Sequence, residues 1–188
     1  MYRLFVALDL QRDTDAQLDE LVDAARGELG REFRPVKRGR RHITLCFLGD
    51  TDPDLVQPMA EDLARVAESR AAFEMIIEGA GAFPSPDSAR VLWAGVKGGA
   101  RRIADMAAEI SHVFASSFGH PPERRPFHPH ITVGRFRGRA MNVSSVVSQY
   151  SDRRWGVDPV AEIQLIRSDL ARSGPTYTVL ERLPLQGG

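Results

Sequence analysis

Three stretches of this chain recur without a gap 88 residues further along. Leu4-Phe5-Val6-Ala7-Leu8 aligns with Leu92-Trp93-Ala94-Gly95-Val96, and His42-Ile43-Thr44-Leu45 with His130-Ile131-Thr132-Val133. The third match sets Phe73-Glu74-Met75-Ile76-Ile77 against Ala161-Glu162-Ile163-Gln164-Leu165. Chance supplies one such match and hardly three in register, and a repeat constrains a fold before any single element does. The 188 residues therefore read as one domain built from two similar halves, about 1–86 and 87–188.

The predicted elements follow the same spacing. Residues 2–9 read as a strand, and Leu18, Leu21, Val22, Ala25 and Leu29 recur at helical spacing over 12–29. Residues 41–48 form a strand ended by Gly49-Asp50, Asp52-Pro53-Asp54 opens a helix that runs to Arg70, and 72–78 is a strand. The second half repeats this order with a strand at 90–96, a helix at about 100–117 and a strand at 130–136. A short helix near 143–150 and a strand at 160–167 follow, and a last strand, 176–183, comes after the turn Ser173-Gly174-Pro175. Loops fall at 30–40, 79–89, 119–128, 137–142 and 168–175, where Gly, Pro, Ser or Arg accumulate. The pattern favours two similar α+β lobes over one parallel sheet.

Composition removes several function classes. At 43% hydrophobic and 27% charged residues, the chain is neither disordered nor fibrous, and no apolar run approaches the ~20 residues that span a bilayer. The N-terminus lacks the long apolar core of a signal peptide, so a cytoplasmic location is expected. A lone cysteine, Cys46, excludes an internal disulfide or a Cys-based zinc site. With 25 basic and 25 acidic residues, whole-molecule attraction to nucleic acid is not expected, and any such binding comes from local patches.

The two His-x-Thr tripeptides carry the chemistry. On a strand, residues i and i+2 share a face, so His42 with Thr44, and His130 with Thr132, point one way. Ile43, Leu45 and Phe47 then point into the core. A lone histidine on a strand is more often packing than catalysis; two at equivalent positions of an independent repeat, each followed by a hydroxyl, are not. If both faces line one cleft, one imidazole takes a proton from water while the other gives one to a leaving oxygen, and two hydroxyls hold phosphate oxygens. That arrangement suits attack on a phosphodiester without a metal.

These residues resemble the two-histidine phosphoesterases, and among them the RNA 2',3'-cyclic phosphodiesterases, also called 2'-5' RNA ligases (LigT-like). The resemblance rests on residues 3–8, on Arg34-Pro35-Val36 before 42–49, on 90–96, on 127–135, and on Arg167-Ser168, Gly174-Pro175 and Tyr177. It implies a bilobal α+β fold whose two pseudo-symmetric antiparallel sheets line a central cleft, with helices outside. It implies hydrolysis of an RNA terminal 2',3'-cyclic phosphate, or of a small cyclic nucleotide, to a 2'-phosphomonoester. His42 is then the proton donor, His130 the proton acceptor, and Thr44, Thr132 and Arg135 the phosphate holders. Strict alternation from His130 puts Arg135 on the opposite face, and Gly134 allows a bulge that turns it inward. Ligation, a linear 2'-5' substrate, another cyclic nucleotide, or nucleotide binding without turnover are the alternatives.

Beyond these residues, Arg34 and Arg41, in the basic stretch 31–41, are possible RNA contacts, and Arg124 and Arg125 precede the second motif. Phe127 is a possible stacking residue, whereas Phe47 is read as core. Alternation puts Cys46 on the His42 face. His128-Pro129-His130 has the form of a metal-binding pair, but no acidic residue or third histidine lies nearby, so no metal and no cofactor are expected. A monomer with no obligate protein partner is expected.

Overall fold

The computed structural model describes residues 1–121, 126–171 and 174–187. Nine strands and five helices follow in the order β1 (Tyr2–Leu8), α1 (Arg12–Gln17), α2 (Asp19–Leu29), β2 (Phe33–Pro35), β3 (Ile43–Thr51), α3 (Val56–Glu68) and β4 (Phe73–Phe83). The second half contributes β5 (Val91–Gly98), α4 (Ala100–Phe118), β6 (His130–Phe136), α5 (Ser144–Gln149), β7 (Arg154–Val160), β8 (Glu162–Ala171) and β9 (Gly174–Pro184).

All pairings between these strands are antiparallel, in the order β7-β4-β5-β6-β3-β1-β8-β9, with the short β2 added beside β6. The sheet divides into two matching groups, β3-β1-β8-β9 and β6-β5-β4-β7, in which β1 corresponds to β5, β3 to β6 and β8 to β4. The third strand of each group comes from the other half of the chain: β8 completes the group begun by β1, and β4 the group begun by β5. Helices follow the same exchange, with α3 packed on β8 and β9, and α5 on β4. Their apolar stripes bury Leu21, Leu63, Ile110 and Val146 against one face of the sheet, where Leu4, Val6, Leu8, Ile77 and Leu92 face them. A small second cluster of Phe5, Ala7 and Ile166 covers the opposite, cleft-side face of β1 and β8.

Four departures from the sequence reading have physical causes. The expected helix over 12–29 is two helices joined at Leu18, whose ψ of −13° loosens one turn. β4 continues through the expected loop to Phe83, because glycine at 81 leaves room for the Trp93 ring; a Cβ there would meet that ring at 2.2 Å. β2 arises inside the expected loop 30–40, where Phe33 lies over Gly134. β7 carries Gly156 and Pro159, which mask it as a strand; it is an edge strand, where proline is tolerated, and Gly156 admits the Thr14 side chain. The helix that β7 supports is fastened by Asp158, which is 1% exposed. Its carboxylate accepts from the Thr14 hydroxyl and, at 2.8 Å, from the Gln11 amide at the open end of α1. Asp158→Ala leaves both donors unmatched and is expected to cost about 2 kcal/mol, read as a lower urea midpoint at unchanged slope. A shift of under about 0.5 kcal/mol would show that water replaces the carboxylate.

Candidate active site

β3 and β6 pair at one position, Ile43 opposite Ile131, where the beginnings of the two antiparallel strands overlap. Both isoleucines point into the core. Extending the antiparallel register one residue to either side sets His42 across from Thr132 and Thr44 across from His130, all on the other face. These four side chains line one cleft of about 500 Å³, so the two His-x-Thr motifs converge.

Each histidine is held the same way. His42 donates from Nδ1 to the Arg40 carbonyl at 2.9 Å, and His130 from Nδ1 to the His128 carbonyl at 2.7 Å. A carbonyl only accepts, so both rings carry their proton on Nδ1 when neutral, and Nε2 is the reactive nitrogen. His42 Nε2 lies 3.1 Å from the Thr44 hydroxyl. Phe5 stacks on the His42 ring at 4.8 Å and Tyr177 meets it edge-on at 5.4 Å. Phe83 meets the His130 ring edge-on at 4.9 Å, with Trp93 at 6.1 Å. These aromatic walls fix the ring planes. Burial pushes the pKa of both histidines below the ordinary 6.5, and Arg135 adds to the depression at each. Burial likewise raises the Tyr177 phenol.

Arg135 lines the cleft although simple alternation forbids it. Trp93 pairs with Thr132 and Leu92 with Gly134, so Val133 is an extra residue in β6. This bulge inverts the alternation beyond Thr132 and brings Arg135 to the histidine face. It falls one residue before the expected glycine, whose part is to admit the Phe33 ring. Arg34 on β2 pairs with Arg135 and also lines the cleft.

A sequence model of the family described as LigT like Phosphoesterase matches residues 8–93. The RNA 2',3'-cyclic phosphodiesterase of Aeropyrum pernix is 36% identical over 80% of this chain and 85% of that protein. The chain belongs to the LigT-like phosphoesterases. A crystal structure from Thermus thermophilus superposes with a TM-score of 0.82 at 30% identity over 98% of both chains. The structure of E. coli LigT complexed with 3'-AMP gives 0.79 at 28% identity, again over 98% of both.

Other expected positions in this LigT-like phosphoesterase change place. A second bulge, at Leu45 of β3, sets Thr44 opposite Ala7 but Cys46 opposite Val6, so Cys46 packs on the core side. A third, at Leu48, lies between Phe47, opposite Phe5, and Gly49, opposite Leu4. Phe47, beyond the Leu45 bulge and opposite Phe5, is on the cleft side, 50% exposed, and not core. Phe127 is not a cleft residue; it packs against the main core. Arg124 and Arg125 lie outside the described residues. The β8–β9 hairpin, expected as a loop, supplies Ser168, Leu170, Gly174, Pro175 and Tyr177 to the cleft wall.

Arg41, expected as an RNA contact, does not line the cleft. It is 4% exposed and its guanidinium turns away from the cleft toward Asp15 and Asp19, at 3.1 and 2.7 Å, while also donating to the carbonyls of Asp15 and Val36. No such partnership was legible, since the carboxylates lie on α1 and α2, more than twenty residues away. Arg41→Ala strands the buried Asp15 carboxylate and is expected to cost about 3 kcal/mol in urea unfolding. An unchanged midpoint together with weaker RNA binding would restore Arg41 to the interface.

Proposed function

We propose that this protein hydrolyses the 2',3'-cyclic phosphate at an RNA end to a 2'-phosphomonoester, using two histidines and no metal ion. The observation that carries the reading is the matched tethering of His42 and His130, each fixed through Nδ1 by the carbonyl two residues earlier, with Nε2 left for the cleft. The Aeropyrum relative's name and the 3'-AMP bound to E. coli LigT support the same substrate class. A cleft of about 500 Å³ is of the size that holds a nucleotide.

In this reading Thr44, Thr132 and Arg135 hold the non-bridging oxygens, and Arg34 adds charge beside them. His130 Nε2 takes a proton from water as the water oxygen attacks phosphorus. The bond from phosphorus to O3' breaks on the opposite side, and protonated His42 gives its Nε2 proton to O3'. The step leaves His130 protonated and His42 neutral, and exchange with solvent restores the pair. The roles are those that the family resemblance implies. Burial and Arg135 oppose an imidazolium at both rings; beside these, Asp9 favours one at His42 and His128 opposes one at His130. Among the described residues no three His, Cys, Asp or Glu side chains stand together as metal ligands. The protein is read as acting alone in the cytoplasm; among the described residues no helix is long and apolar enough to cross a membrane.

The deciding experiment incubates the protein in excess EDTA with a short RNA ending in a 2',3'-cyclic phosphate. A 2'-phosphate product is expected, with turnover reduced about 10²- to 10⁴-fold in both His42→Ala and His130→Ala while circular dichroism is unchanged. Loss of turnover on chelation, restored by a divalent ion, would replace the mechanism with a metal-assisted one.

The lowered histidine pKa values set the pH dependence. The base must be neutral, so the rate rises with pH through the pKa of His130; the acid must be protonated, so it falls through that of His42. Both lie below 6.5 in the free enzyme, and kcat/KM is expected to peak on the acid side of that value. An anionic substrate favours the imidazolium, so kcat is expected to persist to higher pH than kcat/KM. A profile flat from about pH 5 to 9 would remove the pair from the mechanism.

A further inference from the structure

The cleft extends beyond the two histidines along the face that β1 and β3 share. On β1 this face carries Ala7, Phe5 and Arg3; opposite Ala7 stands Thr44, and opposite Phe5 stands Phe47. Thr44 and Phe47 are thus one facing position apart, roughly 7 Å along the strand. Phe5 is sealed beneath His42 and Tyr177 at 4% exposure, but the Phe47 ring is half open to solvent. The Arg3 guanidinium lies over that ring, 4.8 Å from its centroid, and both residues line the cleft. An exposed phenylalanine beneath an arginine serves no core; the bulge at Leu45 is what turns it to the cleft side.

We propose that Phe47 and Arg3 form a subsite for the nucleotide preceding the cyclic end, with its base stacked on Phe47 and the phosphodiester that joins it to the terminal nucleotide against Arg3. The inference rests on the phosphodiesterase reading and deepens it, since it makes an RNA strand rather than a mononucleotide the preferred substrate. An aromatic face accepts any base, so the subsite selects for chain length and not for sequence. A guanidinium already stacked on the ring holds its plane and its charge in the geometry that a base and its phosphate share.

The test compares kcat/KM on a nucleoside 2',3'-cyclic monophosphate with that on a dinucleotide ending in the same cyclic nucleotide. The wild type is expected to prefer the dinucleotide at least tenfold. Phe47→Ala and Phe47→Leu are expected to lower that preference about tenfold, and Phe47→Trp to retain it, because stacking needs a π face. Arg3→Gln is expected to reduce the slope of log KM against log salt for the dinucleotide by about 0.7, the loss of one phosphate contact to a single strand. A preference ratio unchanged in Phe47→Ala overturns the subsite: equal losses on both substrates would place the terminal base on Phe47, and no loss would place RNA elsewhere. Absence of turnover on either substrate in the wild type overturns the phosphodiesterase reading itself.

Discussion

Two strands from opposite halves of the chain meet at Ile43 and Ile131, and the cleft is positioned from that contact. Because strand residues alternate, burying this one pair in the core obliges the residues on both sides of it to face the other way. Thr44, His130 and Thr132 therefore converge with His42, which stands just ahead of β3. Each group takes its third strand from the other half, which ties the two groups together around the cleft. Neither half can relax away from the other without unpairing β1 from β8 or β5 from β4. A site built on exchanged strands is held to the geometry of the whole sheet.

Proton chemistry needs orientation as well as position, and the structure supplies it from the backbone. The carbonyls of Arg40 and His128 lie two residues before their histidines and 88 residues from each other. The Arg40 carbonyl belongs to the turn that Arg41 anchors, where the Asp15 carboxylate also accepts from the Gly39 amide at 2.6 Å. A buried ion pair is weak evidence of stability, since desolvation offsets much of the attraction. Its value here lies in fixing a turn that has no regular hydrogen-bond ladder of its own, and through it the tautomer of His42.

The two motifs were legible because the repeat marked them independently of any residue type. The lobes were also legible, since strand and helix periods recur at the same interval. What the sequence did not disclose depends on features without a local signal. Bulges at Leu45 and Val133 each shift the alternation by one residue, the first moving Cys46 off the cleft face and Phe47 onto it, the second bringing Arg135 there. The bulge near Arg135 was foreseeable only because a glycine stood beside it. Arg41 and Arg34 look alike in a basic stretch, yet one is neutralised by carboxylates from two helices and the other faces the cleft. Side-chain direction at the end of a loop is a tertiary property. The exchange of β4 and β8 was equally invisible, because a repeat shows which segments correspond and not which ones pair.

Charge completes the arrangement. The chain has no net charge, but Arg3, Arg34, Lys37, Arg40 and Arg135 line the cleft, with no carboxylate among its described lining residues. The compensating acids are engaged elsewhere: Asp15 and Asp19 with Arg41, Glu109 with Arg70, Glu20 with Arg153. A positive cleft attracts an anion, while burial above all, and Arg135 after it, lower both histidine pKa values in the empty site. In the proposed mechanism an anion entering the cleft favours an imidazolium at either ring; Asp9 adds to that at His42, and His128 opposes it at His130. Two imidazoles that the repeat makes nearly equivalent thus differ in the charges around them, Asp9 acting on one and His128 on the other. In a symmetrical site only such a difference in surroundings, and not the identity of the side chains, can distinguish an acid from a base.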